Sequence, residues 1–461
     1  MSKKRSIIGI AGVLIALVFY GSVFAEENRI FSLINYYLEK INAIQTELKA
    51  NASEKILEEG KNKKDTEKAM PDNVSDTSSQ DTGQADDTKD AVADSQPKED
   101  KVEPALDENP EILEVKKENS VIINRMKTPD SVKGIYITVG TMASAYGWEL
   151  VDKLIESGGN AVVIDVEHGG GLLAFTPKND YLKSINPGDT LLDNFPEIIN
   201  ELHKKGLYVI ARQVVFNDPY VGSRKPEWRI QNKWGGLYDY RWLDPSKPGV
   251  QNYNLYIMQE VANLGFDEIQ FDYIRFPAAA HQSLDYHYDE EKFSRSDIIT
   301  DFLAKARRLA DDHGIELSVD VFGAIVWGNV DWNIVGQDPA EIAKYVDAIY
   351  PMTYPSHVSP GYYGYTNPWG APYGFVHDSI RNFVEKADGN AQIRTWVQGF
   401  PLRINGFGTW FMNDQVQATY DAGGAGFVIW SPGNRYSYSW PSFSLKPTPP
   451  ELEVSAAGTG E

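Results

Sequence analysis

The 461-residue chain carries 65 acidic against 44 basic residues, a formal net charge of −21, and no cysteine. Without cysteine there are no disulfides, no thiolate catalysis, no zinc fingers and no lipid-modified N-terminal cysteine. The acid excess argues against nucleic acid as a partner, which needs a clustered positive field, and against an anionic polymer as ligand.

Residues 2–5 read SKKR, and Ile7–Ala25 is an apolar run of 19 residues. A basic start before an apolar stretch is the pattern of an export signal. Val23-Phe24-Ala25 offers small residues at a cleavage spacing, while the run is also long enough to stay as a membrane anchor. Both readings of residues 1–27 place the rest of the chain outside the cytoplasm, secreted or tethered to the cell membrane, as in a bacterial envelope that does not rely on disulfides. Within residues 28–50, Ile30, Ile34, Tyr37, Ile41, Ile44 and Leu48 recur at spacings of four and three. That spacing fits a short coiled-coil seam or a juxtamembrane amphipathic helix.

From Leu38 to Ile135 there is no aromatic residue, and Pro71–Pro110 holds twelve Asp or Glu against three Lys. Such a stretch cannot bury enough apolar surface to offset chain entropy, and its self-repulsion extends it. Residues 51–130 therefore read as a disordered acidic linker. All eleven Trp follow residue 147, so the folded, monomeric domain is expected over 131–443, with a flexible tail at 444–461. An apolar scatter before it, Ile112, Leu113, Val121, Ile122 and Ile123, is placed to cover the bottom of that domain.

The domain repeats one unit: helix, glycine, apolar strand. Leu191–Lys205 leads through Gly206 to YVIARQVVF; Val250–Leu264 through Gly265 to FDEIQFDYIRFP; Ser294–His313 through Gly314 to IELSVDVFG. The same joint recurs at Gly158-Gly159 and at Gly423-Gly424. Glycine ends each helix because it accepts the left-handed backbone of the cap. Strands rich in Val, Ile and Phe with little alternation are buried on both faces, as in parallel sheets. Eight strands are expected, at Lys133–Gly140, Ala161–Glu167, Tyr208–Phe216, Phe266–Phe276, Glu316–Gly323, Ala348–Tyr354, Arg394–Phe400 and Ala425–Trp430. Eight strands alternating with helices predict the α/β class and a (β/α)8 TIM barrel. A doubly wound open sheet is the competing fold; no glycine-rich phosphate loop or Walker motif supports it.

Active sites of such barrels lie at the C-terminal strand ends. Those ends carry Asp165 and Glu167, Arg212 and Gln213, Asp272 and Arg275, Asp320, Tyr350 and Tyr354, Trp396 and Gln398, and Trp430. Four carboxylates sit where a barrel core is normally apolar, and each needs a partner or a function. The structural alternative pairs them with Arg212 or Arg275. Side chains alternate along a strand, so Gln270 shares a face with Asp272, and Ser318 with Asp320. Two carboxylates on adjacent strands facing the mouth suit glycosidic bond cleavage, one attacking or activating water and the other protonating the departing oxygen. Trp327, Trp332, Tyr362, Tyr363, Tyr365, Trp369 and Tyr373, in the loops after strands five and six, offer flat faces for sugar rings or else pack the loops.

The runs KGIYIT, NAVVIDVEHGGG, FDEIQFDYIRFP, SVDVFG, IYPMTYPSH and GFVIWSPG together resemble a bacterial glycoside hydrolase family formerly catalogued as a domain of unknown function. That family is distantly similar to the α-amylase and α-galactosidase type barrels. The resemblance spans roughly Val132–Trp440, and FDYIRFP is its most specific piece. It implies a glycosidase-like barrel with Asp272 in the place of the nucleophile. The strand-five acid of those barrels is usually Glu, and here it is Asp320, one methylene shorter.

The reading that follows is an exported glycoside hydrolase acting on a cell-envelope or extracellular polysaccharide or oligosaccharide. It retains configuration, with Asp272 as nucleophile and Asp320 as general acid/base. Asp165, Glu167 and Arg212 would hold sugar hydroxyls, and Arg275, Trp327, Tyr350, Tyr354, Trp396 and Trp430 complete the substrate contacts. His168 either binds substrate or caps a turn. The alternative is a barrel that binds glycan without cutting it, a wall-associated scaffold on a long spacer. No cofactor or metal is expected: His281, Asp285, His287 and Asp289 lack a recognised ligand spacing and read as a solvated loop, and there is no His-Glu-x-x-His motif and no Gly-x-Ser-x-Gly elbow.

Overall fold

The computed structural model describes residues 125–278 and 284–447. The chain divides into two units, Met1–Ala105 and Leu106–Glu461, and every described residue belongs to the second. The expected signal or anchor segment, the helix at 28–50, the linker up to residue 124 with the Ile112–Ile123 scatter, His281 and the chain beyond 447 lie outside the described residues. Among the described residues no helix is long and apolar enough to cross a membrane.

Eight strands form a closed barrel: β1 (Val132–Ile137), β2 (Ala161–Asp165), β3 (Tyr208–Val214), β4 (Glu268–Asp272), β5 (Glu316–Phe322), β6 (Ala348–Met352), β7 (Gln392–Gln398) and β8 (Gly426–Trp430). Each pairs in parallel with its sequence neighbours, and β8 closes on β1. The order is the one expected from the alternation of helices and strands; the strands end zero to four residues short of the expected bounds, and β1 and β7 begin one and two residues earlier. The principal helices are α1 (Ala145–Glu156), α2 (Phe195–Lys204), α3 (Pro248–Leu264), α4 (Arg295–His313), α5 (Pro372–Ala387) and α6 (Thr409–Asp421). Between β5 and β6 stand two short helices, Asn329–Val335 and Pro339–Ile342.

Local chemistry sets these bounds. Ser294 and Asp297 form a reciprocal capping box that starts α4, satisfying amides that no helix turn reaches. Gly265 (φ 110°) and Gly314 (φ 56°) stop α3 and α4 in the left-handed region, where a Cβ would be strained. The strands bury both faces: Val162, Ile164, Ile269 and Phe271 pack outward against helices, while Val163, Ile210, Ala348 and Val428 fill the barrel.

The lower barrel is polar and closed. Glu268 accepts from Arg394 Nη1 (2.7 Å), Tyr208 Oη (3.0 Å) and Ser318 Oγ (2.5 Å), and Arg394 Nη1 also reaches Tyr350 Oη (2.9 Å). Arg394, Glu268 and Tyr350 are almost wholly buried. Tyr350, expected at the substrate, is therefore a structural residue: its hydroxyl belongs to this lower network. Removing one partner of a buried ion pair leaves a charge without compensation. Arg394→Met should accordingly cost about 3–5 kcal/mol of unfolding free energy, measured by denaturant titration; a loss below about 1 kcal/mol would contradict this role.

The packed domain extends upstream of Ser131. Arg125 Nη2 donates to Ala262 O (2.6 Å), Met126 N to Asp267 Oδ1 (2.6 Å), and Thr128 Oγ1 lies 3.4 Å from Tyr208 Oη. Met126 packs on the inner cluster of the barrel. Asp267 anchors the crossing by also accepting from Val209 N (2.8 Å) and His203 Nε2 (2.9 Å). A chain starting at Ser131 should melt lower than one starting at Glu26 by the equivalent of about 2 kcal/mol, at ~1 kcal/mol per lost hydrogen bond; equal melting temperatures would show that residues 125–130 contribute nothing.

Candidate active site

Alternation along the strands aims Tyr136, Asp165, Arg212, Asp272, Asp320, Trp396 and Trp430 inward at the C-terminal ends. Arg212 is the hub. Its Nη1 donates to Asp165 Oδ1 (2.7 Å), its Nε to Asp272 Oδ2 (3.1 Å), and its Nη2 also bonds that oxygen of Asp272. The same Nε lies 3.9 Å from Asp320 Oδ2. The two distances place the Asp272 and Asp320 oxygens within roughly 7 Å of each other, on the scale of the ~5–9 Å between paired carboxyls that flank a glycosidic bond. Asp320 thus faces the mouth, and not the helices.

Each carboxylate has its own further donor. Tyr136 Oη donates to Asp165, Trp396 Nε1 to Asp320 Oδ1 (2.6 Å), and the Tyr273 amide to Asp272 Oδ1 (2.6 Å). Tyr273 sits at φ 53°, an unfavourable conformation for a non-glycine residue, and it is this conformation that accompanies the short contact to the preceding side chain. The guanidinium of Arg212 also lies over the rings of Trp430 (5.2 Å) and Tyr136 (5.8 Å).

Burial dominates the electrostatics of Asp320 and Asp165. Burial, then the charge of Asp272, holds the Asp320 carboxyl well above the ordinary range, while Arg212 and the Trp396 N–H pull only partly against it. Burial also raises Asp165, outweighing Arg212 and Tyr136. Burial opposes the charge on Arg212, yet Asp272 and Asp165 outweigh it and keep its pKa above the usual value. Glu167 stands apart. It accepts from Val214 N (3.2 Å), and burial, then repulsion from Asp218 and Asp165, pushes it well up. Asp218 caps the short helix Pro219–Arg224, accepting from Val221 N (2.9 Å) and Tyr253 Oη (3.0 Å). Burial raises it to about 7 despite those bonds.

Of the other expected contacts, Tyr354 stays near the pair: after burial, the charges of Asp320 and Asp272 raise its phenol. Trp430 is half-buried at the mouth, its ring 4.1 Å from that of Tyr136. Trp396, almost fully buried, serves Asp320 through its N–H and presents no open face. Trp327 is a packing residue, stacked between Tyr363 (4.9 Å) and Phe375 (6.2 Å). Its neighbours are committed as well: Tyr365 bonds Asp378, Trp369 Nε1 donates to Val358 O (2.8 Å), and Tyr373 Oη to Asp421 (2.7 Å). His168 Nε2 lies 2.7 Å from Asp189, out of line for a hydrogen bond, and its carbonyl accepts Gly171 N (2.8 Å). The turn is closed by backbone, and the side chain lies against Asp189. Arg275 forms no ion pair with Asp272; it lies among the rings of Phe322 (4.2 Å), Trp242 (4.7 Å) and Tyr273 (5.1 Å).

Asp285 and Asp289 do not converge on a metal: Asp285 pairs in a two-residue ladder with Gln231, and Asp289 contacts Lys292. Among the described residues no cluster of three or more potential ligands occurs. Tyr136 and Asp218 were absent from the expected site. Tyr136 was accessible to the same alternation rule, two residues after Gly134 on the inward face; Asp218 lies past the strand end, in a loop whose path the sequence does not show.

The family model described as a putative glycosyl hydrolase domain matches residues 134–436. No curated protein matches the chain. Among solved structures, a hypothetical protein from Ruminiclostridium thermocellum is 31% identical, covering 41% of this chain and 97% of that one, with a TM-score of 0.37. The PgaB (BpsB) glycoside hydrolase domain from Bordetella bronchiseptica is 14% identical over 68% of this chain and 99% of that one, with a TM-score of 0.51, and has the same fold. The catalytic domain of β-amylase from Paenibacillus polymyxa is 10% identical over 68% and 95%, with a TM-score of 0.46.

Folding raises the Asp218 pKa above its unfolded value. Its contribution to stability is therefore whole below about pH 4 and is lost as pH climbs towards 7. Asp218→Asn should shrink the stability gained on moving from pH 7 to pH 5, read by chemical denaturation at both values. A pH dependence identical to the wild type would remove the proton from this site.

Proposed function

We propose that this chain, which belongs to the glycosyl hydrolase domain family matched over residues 134–436, cleaves a cell-envelope or extracellular polysaccharide with retention of configuration through Asp272 and Asp320. The carrying observation is that one guanidinium nitrogen, Arg212 Nε, lies beside both carboxylates. The basic start and apolar run Ile7–Ala25 support export, by cleavage or by anchoring.

The two acids differ in the way the chemistry needs. Asp272 is held by two kinds of donor, the Arg212 guanidinium and the Tyr273 amide, which fix its orientation for attack on an anomeric carbon. Burial and the Asp272 charge disfavour the ionised form of Asp320, which suits it to donate a proton. Asp272 attacks, the glycosidic C–O bond breaks, and the departing oxygen takes the proton of Asp320. Asp320, now a carboxylate, removes a proton from water as that water displaces Asp272 from the sugar, restoring both groups. Trp430 and Tyr354 flank the reacting ring, and Asp165, locked by Arg212 and Tyr136, meets its hydroxyls.

The test is reducing-end release across a panel of polysaccharides, with Asp272→Asn and Asp320→Asn beside the wild type. Release by the wild type and a fall of about 10³-fold or more in both variants is expected. Binding without release would favour the scaffold reading. The pH profile offers a finer check. The Trp396 N–H favours the ionised form of Asp320, so Trp396→Phe should move the alkaline limb of kcat/KM upward. A limb that stays in place or moves down would take the acid role from Asp320.

A further inference from the structure

Arg275, just past the end of β4, forms no ion pair with an acid among the described residues. It is 6% exposed. Its Nη1 donates to the Phe276 carbonyl (3.1 Å), and its other N–H groups meet no acceptor among the described residues. The rings of Phe322, Trp242 and Tyr273 surround the guanidinium. Asp272, the nearby acid, is taken by Arg212. Burial outweighs the charges of Tyr273 and Asp272 and lowers the Arg275 pKa to about 10.

A planar guanidinium walled by aromatic rings, with donors to spare, matches a planar carboxylate. Tyr273 and Phe322 place it at the ends of β4 and β5, the strands that carry Asp272 and Asp320. We propose that Arg275 recognises a carboxylate on the glycan itself, so that the barrel prefers acidic polysaccharides whose sugars carry a uronic or lactyl carboxyl group. This rests on the glycosidase reading of the mouth. The overall charge of −21, which argued against an anionic ligand, does not oppose it. That figure sums charge over the whole chain, and any charge more than about 8 Å from the guanidinium is largely screened at physiological ionic strength. The adjacent guanidinium decides.

The test measures binding on the full chain carrying Asp272→Asn, by calorimetry, with and without Arg275→Met. The probes are an oligogalacturonide and a glycan strand containing N-acetylmuramic acid, each beside its carboxyl-reduced counterpart; the pair separates uronic from lactyl carboxylates. At least one acidic probe should bind about 10-fold or more tighter than its reduced form, the range of a charge-assisted hydrogen bond, and Arg275→Met should abolish the preference. Arg275→Met alone should lose less stability than Arg394→Met, since no ion pair is broken. Equal binding of acidic and reduced probes, binding of neither, or a preference that survives Arg275→Met would overturn the proposal. Acid-selective binding with no turnover of any panel glycan by the wild type would instead uphold it and sink the hydrolase reading.

Discussion

Three carboxylates converge at the top of this barrel because one guanidinium holds them there. Arg212 bonds Asp165 and Asp272 and lies within 3.9 Å of Asp320. Without it, three acids within a few ångströms of one another would repel, take up protons or swing towards solvent. A structural ion pair and a catalytic centre are commonly weighed as alternatives for such groups. Under the proposed function they coincide: the pairing that makes the acids tolerable also fixes their spacing.

The barrel interior is built as two polar tiers. The lower one, Glu268 with Arg394, Tyr208, Ser318 and Tyr350, has its principal bonds satisfied inside the protein and is sealed below by the Met126 crossing. The upper one ends in groups with unused capacity: the half-buried face of Trp430, the phenol of Tyr354 and the open donors of Arg275. Charge closed on itself stabilises; charge left open recognises. This contrast, more than the count of acids, supports the upper tier as the candidate site.

The fold was legible because its signals are local. Gly206, Gly265 and Gly314 punctuate the helices, and runs such as AVVID and YVIAR can only be strands buried on both faces. The inward direction of Asp272 and Asp320 followed from alternation in the same way. Height along the barrel axis did not. Tyr350 and Asp320 are register partners on adjacent strands, yet the Tyr350 hydroxyl reaches down to Arg394 while Asp320 meets Trp396 and Arg212 above. The loops were the least legible part. A density of Trp and Tyr after β5 and β6 suits sugar platforms, but stacking of Trp327 on Tyr363 and Phe375 is a tertiary fact that no spacing shows. Arg275 likewise gave no sign that Arg212 would take the acid it was expected to meet.

The central claim is that Asp272 attacks the sugar, and azide rescue tests it most directly. Asp272→Gly would be incubated with sodium azide and an aryl glycoside of the sugar that the wild type releases. Azide should enter the space of the missing carboxylate and displace the aryl group, giving a glycosyl azide of anomeric configuration opposite to the substrate. If wild-type chain cleaves the glycoside and Asp272→Gly forms no glycosyl azide, or one of unchanged configuration, Asp272 is not the nucleophile.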